Sequence, residues 1–316
     1  MRWEELLSME KVVAETNEWR HIPSNAYLEE GKALVSRVRA GSRDLKEVVR
    51  EAVGLIGGVG RSLTPGDRVL LKANFNSADP YPASTDLDFL AAVVELLRSE
   101  GISDLTIAER AGWPWMPTRD VLESLGVFAL GRDLKVPVVD LDEGPWMDVK
   151  LGPSANWWDA VAYPAALKQF DKIVYLPCMK HHFLAAFTMS LKLIVGLTHP
   201  KEMPYLHADF RMGKPEEPMY LKMIEMNLPL RPDLIIMDGR RGFVTEGPAK
   251  GEVAEPGMVL ASADQIALDA EGVKLLQAYP RDNQLRMPVW DMPVIRRAIE
   301  LGLGARSEED YRVVGA

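Results

Sequence analysis

Four of the five histidines, His181, His182, His199 and His207, fall in the window from Cys178 to His207, together with Lys180 and Lys192. Imidazoles titrate near neutrality and lysines carry compact charges, so the mixture suits acid–base catalysis, anion binding or metal ligation. His182, Lys180 and Lys192 are the candidate catalytic residues. Lys192 is the sharpest of them, because it interrupts the apolar run Met189 to Leu197. Burying an ammonium without a partner costs several kcal/mol, on the order of a whole domain's spare stability. The amine must therefore snorkel to water, meet a carboxylate or bound anion, or give up its proton through a lowered pKa. The expected destination is a pocket shared with Lys180 and His182.

The elements that would position these groups follow from hydrophobic pattern. Ile173-Val174-Tyr175-Leu176 reads as a buried strand and Phe183 to Leu197 as a short apolar helix, which places Lys180, His181 and His182 on the turn between them. Adjacent side chains diverge, so one of the two neighbouring histidines faces the crevice. Elsewhere the apolar spacing alternates between helical stretches (44–56, 85–99, 118–125, 218–227, 294–301) and strands at 68–72, 105–108, 137–141, 173–177 and 234–237. A further helix is started by Asp264, and a short strand closes the chain at 311–314. That alternation implies an α/β fold: a mostly parallel sheet covered by helices on both faces, in a domain over 43–316. Residues near 143–165, rich in Gly, Pro and Trp, read as a small inserted lid or hairpin. Residues 1–42 show no clear strand and read as an N-terminal arm or packing helix.

In such a sheet the polar residues just after each strand gather along one edge, where ligands bind. Lys72, Asn74 and Arg240 are the candidate substrate-binding groups there. Should a divalent transition metal bind, His182 and His207 are its expected ligands, joined by Glu109 or Asp238. Each residue also has a plain structural reading. Lys72 reads equally as a strand-end lysine reaching water, Glu109-Arg110 and Arg240-Arg241 as solvated loop charges, and His199 and His207 as surface histidines.

Composition narrows the field. Acidic residues outnumber basic ones, 46 to 37, for a net charge of −9, so nucleic acid and anionic membranes are not expected partners. The charged start Met1-Arg2-Trp3-Glu4-Glu5 is not a secretory signal, and no apolar run approaches the roughly 20 residues of a membrane span, so a cytoplasmic protein with a small-molecule partner is expected. A single cysteine, Cys178, allows neither an intrachain disulfide nor a four-thiolate iron–sulfur cluster. Gly-x-Ser-x-Gly, Gly-x-Gly-x-x-Gly, the P-loop and the His-Glu-x-x-His spacing are all absent.

Several short segments together resemble the domain-of-unknown-function 362 family, from about residue 64 to the C-terminus. Val69-Leu70-Leu71-Lys72-Ala73-Asn74 is similar to its Lys-Pro-Asn segment, Lys180-His181-His182 to its Lys-Thr-His, and Ser190-Leu191-Lys192 through Gly196 to its Lys-Asn-x-x-Gly helix. His207, Asp238-Gly239, Glu246-Gly247-Pro248 with Gly251, and Ser262-Ala263-Asp264 with Ala267 and Asp269 extend the match. Ala73 stands where the family has proline and Leu193 where it has asparagine, and the cysteine-rich ferredoxin segment of many relatives is missing. In its α/β design the family is distantly similar to the nickel-pincer lactate racemases, a likeness of fold alone. Two functions are consistent with these residues. One is an enzyme acting on a small carboxylate-like anion by isomerase, racemase or oxidoreductase chemistry, with or without a metal. The other is a non-catalytic metal- or cofactor-binding protein using the same crevice.

Overall fold

The computed structural model describes residues 13–113, 115–211, 213–216, 218–282 and 284–315. In chain order its strands are β1 (Val13–Asn17), β2 (Leu28–Glu29), β3 (Lys32–Arg39), β4 (Val69–Lys72), β5 (Leu105–Glu109), β6 (Val138–Asp140), β7 (Trp146–Lys150), β8 (Ala160–Pro164), β9 (Lys172–Tyr175), β10 (Lys180–His182), β11 (Ala186–Thr188), β12 (Leu234–Gly239), β13 (Gly242–Phe243), β14 (Val253–Ala254), β15 (Met258–Ser262) and β16 (Tyr311–Gly315). Nine of them form one sheet in the order β16-β3-β15-β12-β9-β4-β5-β6, with β2 paired to β3. All five strands expected from the βα alternation lie in it, mutually parallel. Only β15 and β2 pair antiparallel to their neighbours.

The sheet is buried on both faces, which explains why β4 (Val-Leu-Leu-Lys) reads as a continuous run and not as an alternation. Strand geometry then divides the run between two cores. Leu70, Ile173, Tyr175, Ile235 and Met237 join one, whereas Val69, Leu71, Val174, Leu234 and Ile236 join the other. The helices begin at carboxylate caps: Asp44 accepts from Lys46 N at 3.0 Å, Asp86 from Phe89 N at 2.9 Å and Asp264 from Ala267 N at 2.9 Å. Among the described residues no helix is long and apolar enough to cross a membrane.

Chain progression along this order reverses at β4. From β4 the chain builds outward through β5 and β6 on one side, then returns to lay β9 and β12 on the other. Loops leaving β4 and β9 must part in opposite directions, and the gap between them is the crevice at which doubly wound sheets bind ligands.

Two local expectations are corrected. Residues 28–39 are not an arm or packing helix: β3 is an inner strand between β15 and β16, entered through a turn in which Glu30 and Gly31 both have positive φ. The Glu-Gly pair is a hairpin signal of the left-handed type, and the strand after it, Ala-Leu-Val-Ser, is buried throughout. Residues 1–12 lie outside the described residues. The stretch 183–189 is not helical either. Lys180–His182 is itself a strand, paired antiparallel with Ala186–Thr188, and helix is confined to Ser190–Leu193 with a 3₁₀ continuation, Ile194–Leu197. A short apolar run fits strand and helix equally by periodicity, and here the turn chemistry decides: His182 Nδ1 accepts from Leu184 N at 3.1 Å and Ala185 N at 3.2 Å, fastening a tight reversal.

The segment near 143–165 forms the β7–β8 hairpin, with β1 along β7. Its loop is tied down where Glu225 accepts from Asn156 N and Trp157 N, each at 2.9 Å, and none of its residues lines the crevice described next.

Candidate functional site

Two adjoining chambers occupy the crevice. The inner one, about 20 Å³, is bordered by polar side chains of Lys72, Asn74, Asn76, Glu109, Arg110, Lys180, Thr188 and Lys192. The outer one, about 90 Å³, is bordered by His182, His207, Trp113, Phe183, Leu184 and Met203, and shares Asn76, Lys192, Val195 and Pro248 with the inner. Larger hollows exist elsewhere, but they lie away from the carboxyl ends of the parallel strands and lack a comparable convergence of charged groups.

The floor is a satisfied ion pair. Lys72 Nζ donates to Glu109 Oε1 at 2.6 Å and to Ala73 O at 2.7 Å, while Glu109 also accepts from Arg110 N at 2.9 Å and, through Oε2, from Phe75 N at 2.7 Å. Burial pulls the Lys72 pKa down and the facing carboxylate only partly offsets it. Lys72 does not reach water, then; it is 1% exposed and its charge is matched locally. Gly196 makes this packing possible, because a Cβ there would fall 2.6 Å from Glu109 Oε1 and 2.7 Å from Lys72 Nζ.

Around the floor stand donors without acceptors. Arg110 spends its terminal nitrogens on carbonyls, Nη1 on Ala111 O at 2.6 Å and Nη2 on Val195 O at 2.8 Å, yet its Nε is buried with no partner. Thr188 Oγ1 is likewise buried and unsatisfied, and Asn74 Nδ2, buried too, has only the Cys178 sulfur beside it. Thr85 holds the Asn74 backbone, donating its N–H to Asn74 O at 2.9 Å and accepting from Asn74 N at 2.8 Å. Lys180 Nζ donates to Ala83 O, and burial lowers its pKa.

Lys192 is the exception in charge. It is partly buried, and among the described residues its amine has neither a hydrogen bond nor a carboxylate within ion-pair reach. Burial, then repulsion from Lys180 and Arg110, brings its pKa down from 10.5 to about 7. Its short helix is anchored from behind: Asp269 accepts from Ser190 N at 2.8 Å, Ser190 Oγ at 2.7 Å and Leu191 N at 2.9 Å, and Asn227 Nδ2 donates to Leu191 O at 3.0 Å. Burial raises the Asp269 pKa to about 7 against those hydrogen bonds.

In the outer chamber the two imidazoles have opposite polarity. Backbone N–H groups can only donate, so His182 Nδ1, facing two of them, holds the lone pair and Nε2 carries the hydrogen. Burial first, then Lys192 and Lys180, push its pKa well below the usual value and keep it neutral. His207 is the reverse: Nδ1 donates to Met203 O at 3.0 Å, which leaves the lone pair on Nε2. His181 turns away to Gln284, at 2.8 Å, so of the neighbouring pair His182 alone lines the crevice. The His181 carbonyl is covered by Gly247, where a Cβ would fall 1.8 Å from the oxygen, and this close approach sets Pro248 as the wall common to both chambers.

Of the expected metal ligands, His182 and His207 border one chamber, but the carboxylates do not join them there. His182 presents a hydrogen, Glu109 is fully engaged by Lys72 and backbone donors, and Asp238 accepts from Tyr81 Oη at 3.0 Å and forms a two-pronged pair with Arg240, Nη2 to Oδ2 at 2.7 Å. Among the described residues no group of three or more His, Cys, Asp or Glu side chains could hold an ion. Arg240, expected to bind substrate, is held by Asp238 and Asp86 and borders neither chamber. His199, buried, caps a 3₁₀ turn by accepting from Lys201 N at 2.9 Å. Thr188 and Asn76 are not among the sequence candidates, and Arg110 appears there only as a strand-end charge without an assigned role. Arg110 directly follows Glu109 at a strand end and was a visible signal, whereas Thr188 enters only through its cross-strand pairing with Lys180.

A doubly wound sheet with a cationic crevice at its reversal point defines the class. The model of the family described as domain of unknown function (DUF362) matches residues 69–274, and the chain belongs to that family. A thylakoid-associated protein of Synechocystis sp. is 27% identical over 234 residues, covering 71% of this chain and 68% of that one. Among solved structures, the lactate racemase apoprotein of Thermoanaerobacterium thermosaccharolyticum superposes with a TM-score of 0.46 at 11% identity; the match covers 81% of this chain and 60% of the racemase.

Proposed function

We propose that the chain is an enzyme, acting in the cytoplasm, that binds a small carboxylate-class anion and moves a proton on the atom next to the carboxylate, an isomerase-type reaction. The observation that carries this reading is Lys192, a lysine without a counter-ion in a chamber that already holds Lys180 and the orphan donors of Arg110 and Thr188. A bound carboxylate supplies the acceptors these groups lack, and charge developing on it during proton removal is met by donors already in place. His207 Nε2, carrying the lone pair, takes the proton and returns it. His182 Nε2–H serves as a hydrogen-bond donor to the substrate and not as a base, since its other nitrogen is committed to the turn.

The rival reading, a binding protein for the same anion, differs in one measurable way. In deuterated water an enzyme of this type exchanges the hydrogen at the carbon beside the carboxylate, which NMR of the bound acid detects. Exchange is expected in the wild type and is expected to drop at least roughly 100-fold in His207→Gln. Binding without exchange would assign the crevice to a binding protein.

A further inference from the structure

The outer chamber differs from the inner in chemistry as well as size. Four of its walls are rings: Phe183 stacks on His182 at 5.3 Å with 4° between planes, and Trp113 packs against His207 at 4.7 Å. Trp115 stacks in turn on Trp113 at 4.7 Å and 11°. Each imidazole is thus backed by an aromatic side chain bordering the same space, and Phe183, 45% exposed, stands where that space opens to solvent.

We propose, resting on the reading of the inner chamber as a carboxylate site, that the substrate is an arylalkanoate: an acid group against Lys192, joined by a short saturated link to one planar ring held among Trp113, Phe183 and the two imidazoles. Size agrees. The inner chamber, about 20 Å³, has room for little more than the oxygens of an acid group, and the outer, about 90 Å³, is several times larger, the proportion expected of a polar head and a bulkier ring. Shape agrees too, because flat ring walls favour a flat guest by stacking beyond what area alone gives. Lys192, shared between the chambers, sets the junction of head and ring.

Titration calorimetry of the full chain with acetate, phenylacetate and cyclohexylacetate tests this. Phenylacetate should bind at least about tenfold more tightly than acetate and roughly threefold or more above cyclohexylacetate, which matches its size without its planarity. Phe183→Leu, at an exposed position where folding is not at stake, should remove the preference for phenylacetate over cyclohexylacetate while acetate binding persists; Trp113→Leu should do the same. Equal affinity for the three acids, with acetate binding still lost in Lys192→Met, would overturn the aryl assignment and leave the carboxylate site standing. Failure of every acid to bind, or undiminished binding in Lys192→Met, would overturn both.

Discussion

Lys72 and Lys192 lie in the same crevice and are both withdrawn from bulk water, but their surroundings are completed differently. Lys72 has a carboxylate at 2.6 Å whose oxygens are all engaged, the state in which a buried charge is tolerable. Lys192 faces Lys180 and Arg110 and no acid. The first pair closes the sheet edge and is scaffold. The second lysine is kept open at a standing cost that folding alone does not recover, which is how a binding site differs from packing. The Asp238–Arg240 pair, also at a strand end, belongs with the scaffold by the same criterion.

The largest effect expected from this contrast is on stability. Glu109→Ala strands the buried Lys72 ammonium and should lower the unfolding free energy by about 3–5 kcal/mol, read from urea denaturation. A loss below about 1 kcal/mol would remove the distinction between the two lysines. Next comes Lys192→Met, which keeps the volume and deletes the charge. Affinity for a bound carboxylate should fall roughly 10- to 150-fold, the worth of one charged hydrogen bond, while the variant folds as well as the wild type or better.

The pH dependence sharpens the same point. Lys192 has its pKa lowered in the folded chain from 10.5 to about 7. Between those values the unfolded chain holds a proton that the folded chain lacks, so this lysine's contribution makes stability rise with pH across the window, and its penalty is fully present below about pH 7. Lys192→Met should therefore exceed the wild type in melting temperature most at pH 6, with the gap closing toward pH 10. Carboxylate affinity should run the other way in the wild type, falling as pH rises through about 7, and should stay flat in the variant. The smallest effect is assigned to Arg240→Lys: a bidentate pair is weakened and the protein modestly destabilised, but carboxylate affinity should change less than about twofold. A larger change would place Arg240 back among the binding groups.

The parallel sheet was legible because β4, β9 and β12 are continuous apolar runs spaced by helices with carboxylate caps, signals that are local in sequence. β3 was not, since its role depends on pairing with β15 and β16, which lie more than 200 residues downstream. In the site, Lys192 could be found from its apolar surroundings and Lys180 and His182 from their crowding. What each nitrogen does could not. Whether His182 offers a hydrogen or a lone pair is settled by two backbone N–H groups at the turn, and whether Glu109 is free is settled by Phe75 and Arg110, none of which shows in a one-dimensional pattern.

The β10–β11 hairpin has a further consequence for which side chains reach the crevice. Because successive strand residues point to opposite sides, Lys180 and His182 share the crevice and His181 takes the other direction. The site is thus indexed by parity. A one-residue slip of β10 against β11 would leave every side chain present and the sheet behind it intact, yet would turn either the Lys180–His182 pair or Thr188 away from the crevice. The register of this pair therefore decides which groups meet in the crevice, whereas the β7–β8 hairpin borders neither chamber.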